Sequence, residues 1–232
     1  MIVTVFTNDN HLWLLQGFAY LFNRFWGKTQ KVRVVGFNPP KFKLPTNFEF
    51  YSLGDENFPV GSWSNALMKY LYECEEDRIL LMLEDYWLYE QVDHILVNNL
   101  YDCYNEISML NTILRIDLTN DRSSRNQKRL YGKFCGRSII ETPSRTPYQM
   151  SYQAAIWDVK TLFDILEPNE NPWQSEINGT ERLKKRENIK VLGTEDRPLV
   201  YQPVYRTHRQ VLQTNKIPQP IIHELEERGC LP

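Results

Sequence analysis

Two short apolar runs, Ile2–Phe6 and Ile79–Leu83, constrain this chain most: neither shows the polar alternation of a strand with one wet face. Such runs belong to strands buried on both sides, as in parallel sheets covered by helices. Between them lie two further strand candidates, Val32–Phe37, which stops at Asn38-Pro39-Pro40, and Phe48–Leu53. Leu12, Leu15, Ala19, Phe22 and Trp26 recur at helical spacing after the first strand, behind several potential caps in Thr7-Asn8-Asp9-Asn10. Ser64 reads as the cap of a second helix with Leu67, Tyr70, Leu71 and Cys74 on its buried face. Alternating strands and helices predict an α/β fold with a mixed, mostly parallel central sheet flanked by helices.

The remainder continues the pattern. Asp93 to Tyr104 reads as a helix, and Leu114–Leu118, Ile139–Glu141 and Met150–Trp157 as strands. Asp158 caps a helix ended by Pro168, and Asn171-Pro172 is a helix entry with Asn as cap and Pro in the first turn. Val191, Leu192 and Leu199–Val204 are expected to close the sheet, and Pro220 starts a terminal helix stopping at Gly229. No repeat or low-complexity linker divides the 232 residues, which fit a single domain. Residues 1–105 form its first half and residues 106–232 its second, which ends in the terminal helix.

A net charge of −2 argues against a general nucleic-acid coat. The cysteines, Cys74, Cys103, Cys135 and Cys230, are scattered without a CxxC pair and read as ordinary reduced thiols. The N-terminal run lacks the basic start of a signal sequence, and no stretch approaches the ~20 apolar residues of a membrane span. These features predict a cytoplasmic protein with no membrane partner.

Ligands of open α/β sheets collect beyond the carboxyl ends of the strands, here Thr7–Asn10, Gly61–Asn65 and Glu84–Trp87. Neither GxGxxG nor GxxxxGKS follows the first strand, which excludes the usual dinucleotide and P-loop sites. Instead Ile79–Leu83 runs straight into Glu84-Asp85-Tyr86-Trp87. Two carboxylates at the mouth of a buried strand are costly unless they meet cations, backbone N–H groups or solvent. A hard divalent cation, Mg2+ or Mn2+, bridging a diphosphate would suit them; a solvated loop start is the alternative.

An apolar strand running into acidic residues resembles the DxD region of GT-A glycosyltransferases. The chain is similar, more narrowly, to small GT-A-like proteins of phage and bacterial genomes. The matching stretches are FTNDNHLWLLQGFAYLFNRFW, WSNAL, LMLEDYWL, LRIDLTNDR, TPYQMSYQAAIW and NPWQSEINGTERL, collinear from residue 6 to 183. The resemblance implies a GT-A-like fold and transfer of a sugar from a nucleoside diphosphate sugar. Thr7 and Asp9 would sit by the base and ribose, and Trp63, Ser64 and Asn65 near the donor. Glu84 and Asp85 take the DxD place, and His208 that of a late histidine closing a metal site. Adjacent carboxylates differ from D-x-D, and Lys or Arg neutralising the diphosphate is the alternative; Arg206 is placed with the donor. A degenerate, non-catalytic nucleotide-sugar or carbohydrate binder is the competing class.

Glu176 occupies the place where inverting GT-A enzymes carry their base; a carboxylate favoured by the helix dipole is the competing account. Alternation along Tyr148–Gln153 would put Gln149, Ser151 and Gln153 on one face, facing sugar hydroxyls or each other. Gln153 is assigned to the donor, and Tyr148, Gln149 and Trp173 to the acceptor. His11, His94 and His223 read as surface residues. Arg122, Arg125, Lys128 and Arg129 belong to a run of six basic residues without an acidic one. That run is either a solvated loop or a contact to DNA, the latter fitting an acceptor such as a hydroxymethylated base in phage DNA.

Overall fold

In the computed structural model, residues 1–54, 58–134, 136–206 and 211–231 are described, Arg206 by its main chain alone. The strands are β1 (Val3–Phe6), β2 (Val32–Gly36), β3 (Phe48–Ser52), β4 (Arg78–Leu83), β5 (Tyr86–Leu88), β6 (Thr112–Asp117) and β7 (Arg129–Phe134). They continue with β8 (Arg137–Glu141), β9 (Ala155–Asp158), β10 (Ile189–Thr194), β11 (Tyr201–Pro203), β12 (Tyr205–Arg206) and β13 (Val211–Leu212). The helices are α1 (Leu14–Phe25), α2 (Trp63–Glu73), α3 (His94–Asp102), α4 (Tyr104–Ile107), α5 (Val159–Ile165), α6 (Pro172–Lys184) and α7 (Gln219–Glu227).

Nine strands form one sheet in the order β3-β2-β1-β4-β9-β6-β10-β8-β7. β3, β2, β1 and β4 are parallel neighbours, whereas β9 runs antiparallel to both β4 and β6. Period-two alternation sends Leu80 and Met82 of β4 into one core, with α1, α3 and α7, and Ile79 and Leu81 into a second, with α2 and α5. The buried runs therefore form the middle of three layers.

Caps follow the sequence where a free side chain can reach the first turn. Asp93 accepts from Leu96 N–H at 3.0 Å, Asp158 from Thr161 N–H at 2.8 Å, and Asn171 with Gln174 forms a capping box behind Pro172. Thr7–Asn10 caps nothing: Asn8 folds the chain into a turn, accepting from Asn10 N–H at 3.0 Å, and α1 begins later, after Trp13.

Several expectations fail. Residues 148–154 are not a strand; only Ala155–Asp158 is. The backbone N–H groups of Met150 and Tyr152 donate to Thr180 Oγ1 (3.1 Å) and Glu176 Oε1 (2.7 Å) of α6, so the segment lies along that helix instead of extending a ladder. Tyr148 has φ of 55°, and Gln149 through Tyr152 are all buried, which removes the expected alternation. β11 pairs with β5 outside the main sheet and does not close it. The basic run contains β7, an edge strand, and Cys103 is disulfide-bonded, while Cys74 and Cys230 are free. Among the described residues no helix is long and apolar enough to cross a membrane.

Candidate active site

The register of the sheet assembles the site. Phe6 pairs with Leu83, so Thr7 and Glu84 leave the carboxyl ends of β1 and β4 side by side. Antiparallel β9 pairs Ala155 with Leu81, which brings the preceding Tyr152 and Gln153 to the same edge. There they meet α6, and a cleft of about 370 Å3 opens. Its walls include Thr7, Trp63, Glu84, Asp85, Gln153, Trp173 and Glu176, seven residues proposed from sequence on five separate segments. A larger groove, about 840 Å3, lies at the opposite sheet edge among Asp77, Arg78, Tyr104, Asn111 and Asp158. It faces the amino ends of β4 and β6, where open α/β sheets do not bind their ligands; the smaller cleft is the candidate site.

Glu84 and Asp85 form the turn between β4 and β5, and both line the cleft. Glu84 is 5% exposed, and its Oε1 meets Nδ1 of His11 at 2.8 Å. His11, expected at the surface, is half-buried in the cleft wall with its ring edge-on to Tyr205 at 5.0 Å. Burial opposes its protonation, yet the hydrogen bond and charge of Glu84 raise its pKa. The pairing escapes sequence reading because the partners are 73 residues apart; a histidine one turn after a strand end opposite carboxylates is the available signal.

Glu176 lies in the second turn of α6, past the first-turn position that the helix dipole favours. Burial raises its pKa, against the Tyr152 N–H, the Arg115 charge and Ser151, which lower it. The wall behind it is rigid. Tyr152 Oη and Ser175 Oγ are 2.7 Å apart, Trp63 packs edge-on against Tyr152 at 4.7 Å, and Phe6 packs against Trp63. Tyr201 donates its hydroxyl proton to Gln153 Oε1 and stacks on Tyr86 at 4.4 Å.

The other candidates whose side chains are described do not line the cleft. Ser64 Oγ accepts from Glu170 N–H at 3.0 Å, and Asn65 Oδ1 from Asn169 N–H at 2.6 Å; both tie α2 to the loop before α6. Asp9 receives the Asn38 backbone and side-chain N–H groups. Tyr148 is exposed outside the cleft lining, while buried Gln149 accepts from Arg122 at 2.9 Å and donates to Thr142 O at 3.0 Å. Arg122 is 0% exposed: it pairs with Asp121 at 2.5 Å and donates to Tyr148 O at 2.8 Å, so it is no surface cation. Arg125 pairs with Asp121 at 2.7 Å, Lys128 donates to Ser123 O at 2.7 Å, and Arg129 pairs with Glu141. The main chain of Arg206 pairs with Val211, and His208 lies outside the described residues.

No family model and no curated protein matches the sequence. Among solved structures, S. aureus TarS 1-349 in complex with UDP matches with a TM-score of 0.51 at 16% identity, over 86% of this chain and 59% of that one. S. aureus TarS matches with a TM-score of 0.50 at 17% identity, over 86% and 36%. The fold is that of the GT-A glycosyltransferases. The chain thus spans about a third to three fifths of these TarS chains. At this identity the GT-A likeness concerns the fold, and the chemistry has to be argued from the cleft.

Among the described residues no three His, Cys, Asp or Glu converge as a metal-ligand group. Mg2+ usually takes only one or two protein carboxylates beside substrate phosphates. The Glu84–Asp85 turn has oxygen ligands of that kind, so a cation arriving with a diphosphate fits it.

Proposed function

We propose that this protein transfers a sugar from a nucleoside diphosphate sugar to an acceptor hydroxyl, with inversion. The observation that carries this reading is the cleft itself, which sets Glu84 and Asp85 on one wall and the half-buried carboxylate of Glu176 on another. The UDP complex of TarS, with the same fold, makes UDP the first nucleotide to test. Thr7 and His11 line the strand-end wall and would bind the donor. Asp85, with Glu84 turned to His11, would hold a divalent cation, which when bound supplies neutralisation of the diphosphate charge.

On the opposite wall Glu176 takes the proton from the acceptor hydroxyl. The acceptor oxygen forms its bond to the anomeric carbon as the bond from that carbon to the diphosphate oxygen breaks, and the nucleoside diphosphate leaves. The Tyr152 N–H holds Glu176 Oε1 in place for this, and the fixed ring of Tyr152 keeps water from its flank. A DNA acceptor finds no support, because Arg122 is internal and Arg125, Lys128 and Arg129 have protein partners.

The test is release of UDP from a panel of UDP-sugars with acceptor extracts, comparing wild type with Glu176→Gln. The reading expects nucleotide release in the wild type, an inverted product, and loss of turnover in the variant with UDP affinity kept. Unchanged turnover in the variant removes Glu176 from the mechanism. UDP binding with no transfer in the wild type would instead favour a non-catalytic binder, a class to which the His11-occupied Glu84 also points.

A further inference from the structure

The acceptor wall of the cleft carries an unexpected chemical bias. Trp173, in the first turn of α6, is 52% exposed and lines the cleft three residues before Glu176. Ile177, 54% exposed, follows at the i+4 position, so the two share one face of the helix. Large apolar side chains held open beside a half-buried carboxylate leave apolar area in water, a cost that a ligand covering them would recover.

Charge narrows the ligand. The described lining of the cleft holds Glu84, Asp85 and Glu176 and no Lys or Arg. Four arginines of residues 106–232 are engaged by carboxylates within the protein. Arg115 pairs with Asp117 at 3.3 Å, Arg122 and Arg125 with Asp121, and Arg182 with Glu170 at 2.8 Å. Arg115 is also fully buried over the Trp157 ring at 5.2 Å, out of reach of a ligand. A phosphate, sulfate or carboxylate arriving at Trp173 would thus meet the Glu176 carboxylate with no Lys or Arg of the described lining beside it. On the strand-end wall the donor's charge would meet His11 and the cation that Asp85 would hold; among the described lining residues the acceptor wall has no such group.

We infer that the acceptor is a neutral carbohydrate, whose ring lies on the Trp173 indole, extended by Ile177, while one hydroxyl reaches Glu176. A sugar ring suits this wall because it offers an apolar C–H face to the indole and uncharged hydroxyls to the carboxylate. The inference rests on the transfer reading for the use of that hydroxyl, but the stacking itself does not depend on turnover.

Calorimetric titration of the full chain, with and without UDP, tests it. Lactose, maltose and cellobiose serve as neutral probes, and glucuronic acid and glycerol 3-phosphate as anionic ones. The expected result is binding of at least one neutral disaccharide, about fivefold to tenfold weaker in Trp173→Ala and largely restored in Trp173→Phe. Because Trp173 is exposed, these variants keep the fold, and an unaltered UDP-induced rise in melting temperature verifies it. Preference for an anionic probe, binding of no neutral probe, or equal binding by Trp173→Ala overturns the inference. Failure of UDP to bind the wild type sinks the transfer reading separately and leaves the saccharide result to be judged alone.

Discussion

Glu176 Oε1 accepts the backbone N–H of Tyr152 at 2.7 Å, so the proposed base is positioned by the same bond that pulls residues 148–154 off the sheet and onto α6. Burial raises the pKa of this carboxylate above its ordinary 4.5. A base must be unprotonated to act, so kcat/KM should fall as pH is lowered through that raised value, and Glu176→Gln should cost about 100- to 10,000-fold in turnover. A pH–rate profile of wild type and variant checks both.

The same shift has a stability consequence of the opposite sense. The folded protein holds the Glu176 proton more tightly than the unfolded chain. The stability contributed by this group is therefore greatest at low pH and declines as pH rises from about 4.5 through the folded pKa. Gln keeps an oxygen for the Tyr152 N–H without the half-buried charge. Glu176→Gln is expected to melt at or above the wild-type temperature at neutral pH, while inactive.

Ser64 should matter for folding and not for the donor. Its hydroxyl satisfies the buried N–H of Glu170, and Ser64→Ala strands that donor at a cost of about 1–3 kcal/mol. Urea denaturation should register the loss while UDP affinity stays unchanged. A selective loss of UDP affinity would return Ser64 to the site.

Gly17 marks where α1 crosses Trp87. A Cβ there would lie 2.3 Å from Trp87 Cη2, and the indole, fully buried, has nowhere to move. Gly17→Ala should destabilise by about 1–3 kcal/mol despite the better helix propensity of alanine, again measured in urea.

Arg122 offers a test against DNA. Removing it leaves Asp121 with less compensation, takes one of two donors from Gln149 Oε1 and strands the Tyr148 carbonyl, so Arg122→Ala should lose about 3–5 kcal/mol of stability. Wild-type protein should show no salt-dependent affinity for duplex DNA; a steep salt slope would restore a nucleic-acid role to the basic run.

What could be read from the sequence was what local chemistry dictates. β1 and β4 announce themselves because strands buried on both faces need unbroken apolar runs, and Asn171-Pro172 because a cap and a preset φ act within one turn. Strand ends then pointed to Thr7, Glu84 and Asp85. Long-range satisfaction was not legible. Nothing near Met150 or Tyr152 says that their N–H groups will be met by Thr180 and Glu176, so the segment looked like a strand. Nothing near Arg122 says that Asp121 and Gln149 will bury it, so it looked like a surface cation. His11 looked like a surface residue, until the fold set Glu84 beside it.

If the proposed function holds, the cleft between Glu84-Asp85 and Glu176 binds a nucleoside diphosphate. Thermal melting with UDP, GDP, CDP, ADP and dTDP, each with and without Mn2+, tests it most directly, alongside Asp85→Ala. A ligand of the folded state adds about 2.7 kcal/mol at a hundred times its Kd. A raised melting temperature is expected with one nucleotide, UDP first among them, and a smaller rise in Asp85→Ala. No shift with any of the five, with or without Mn2+, would contradict it.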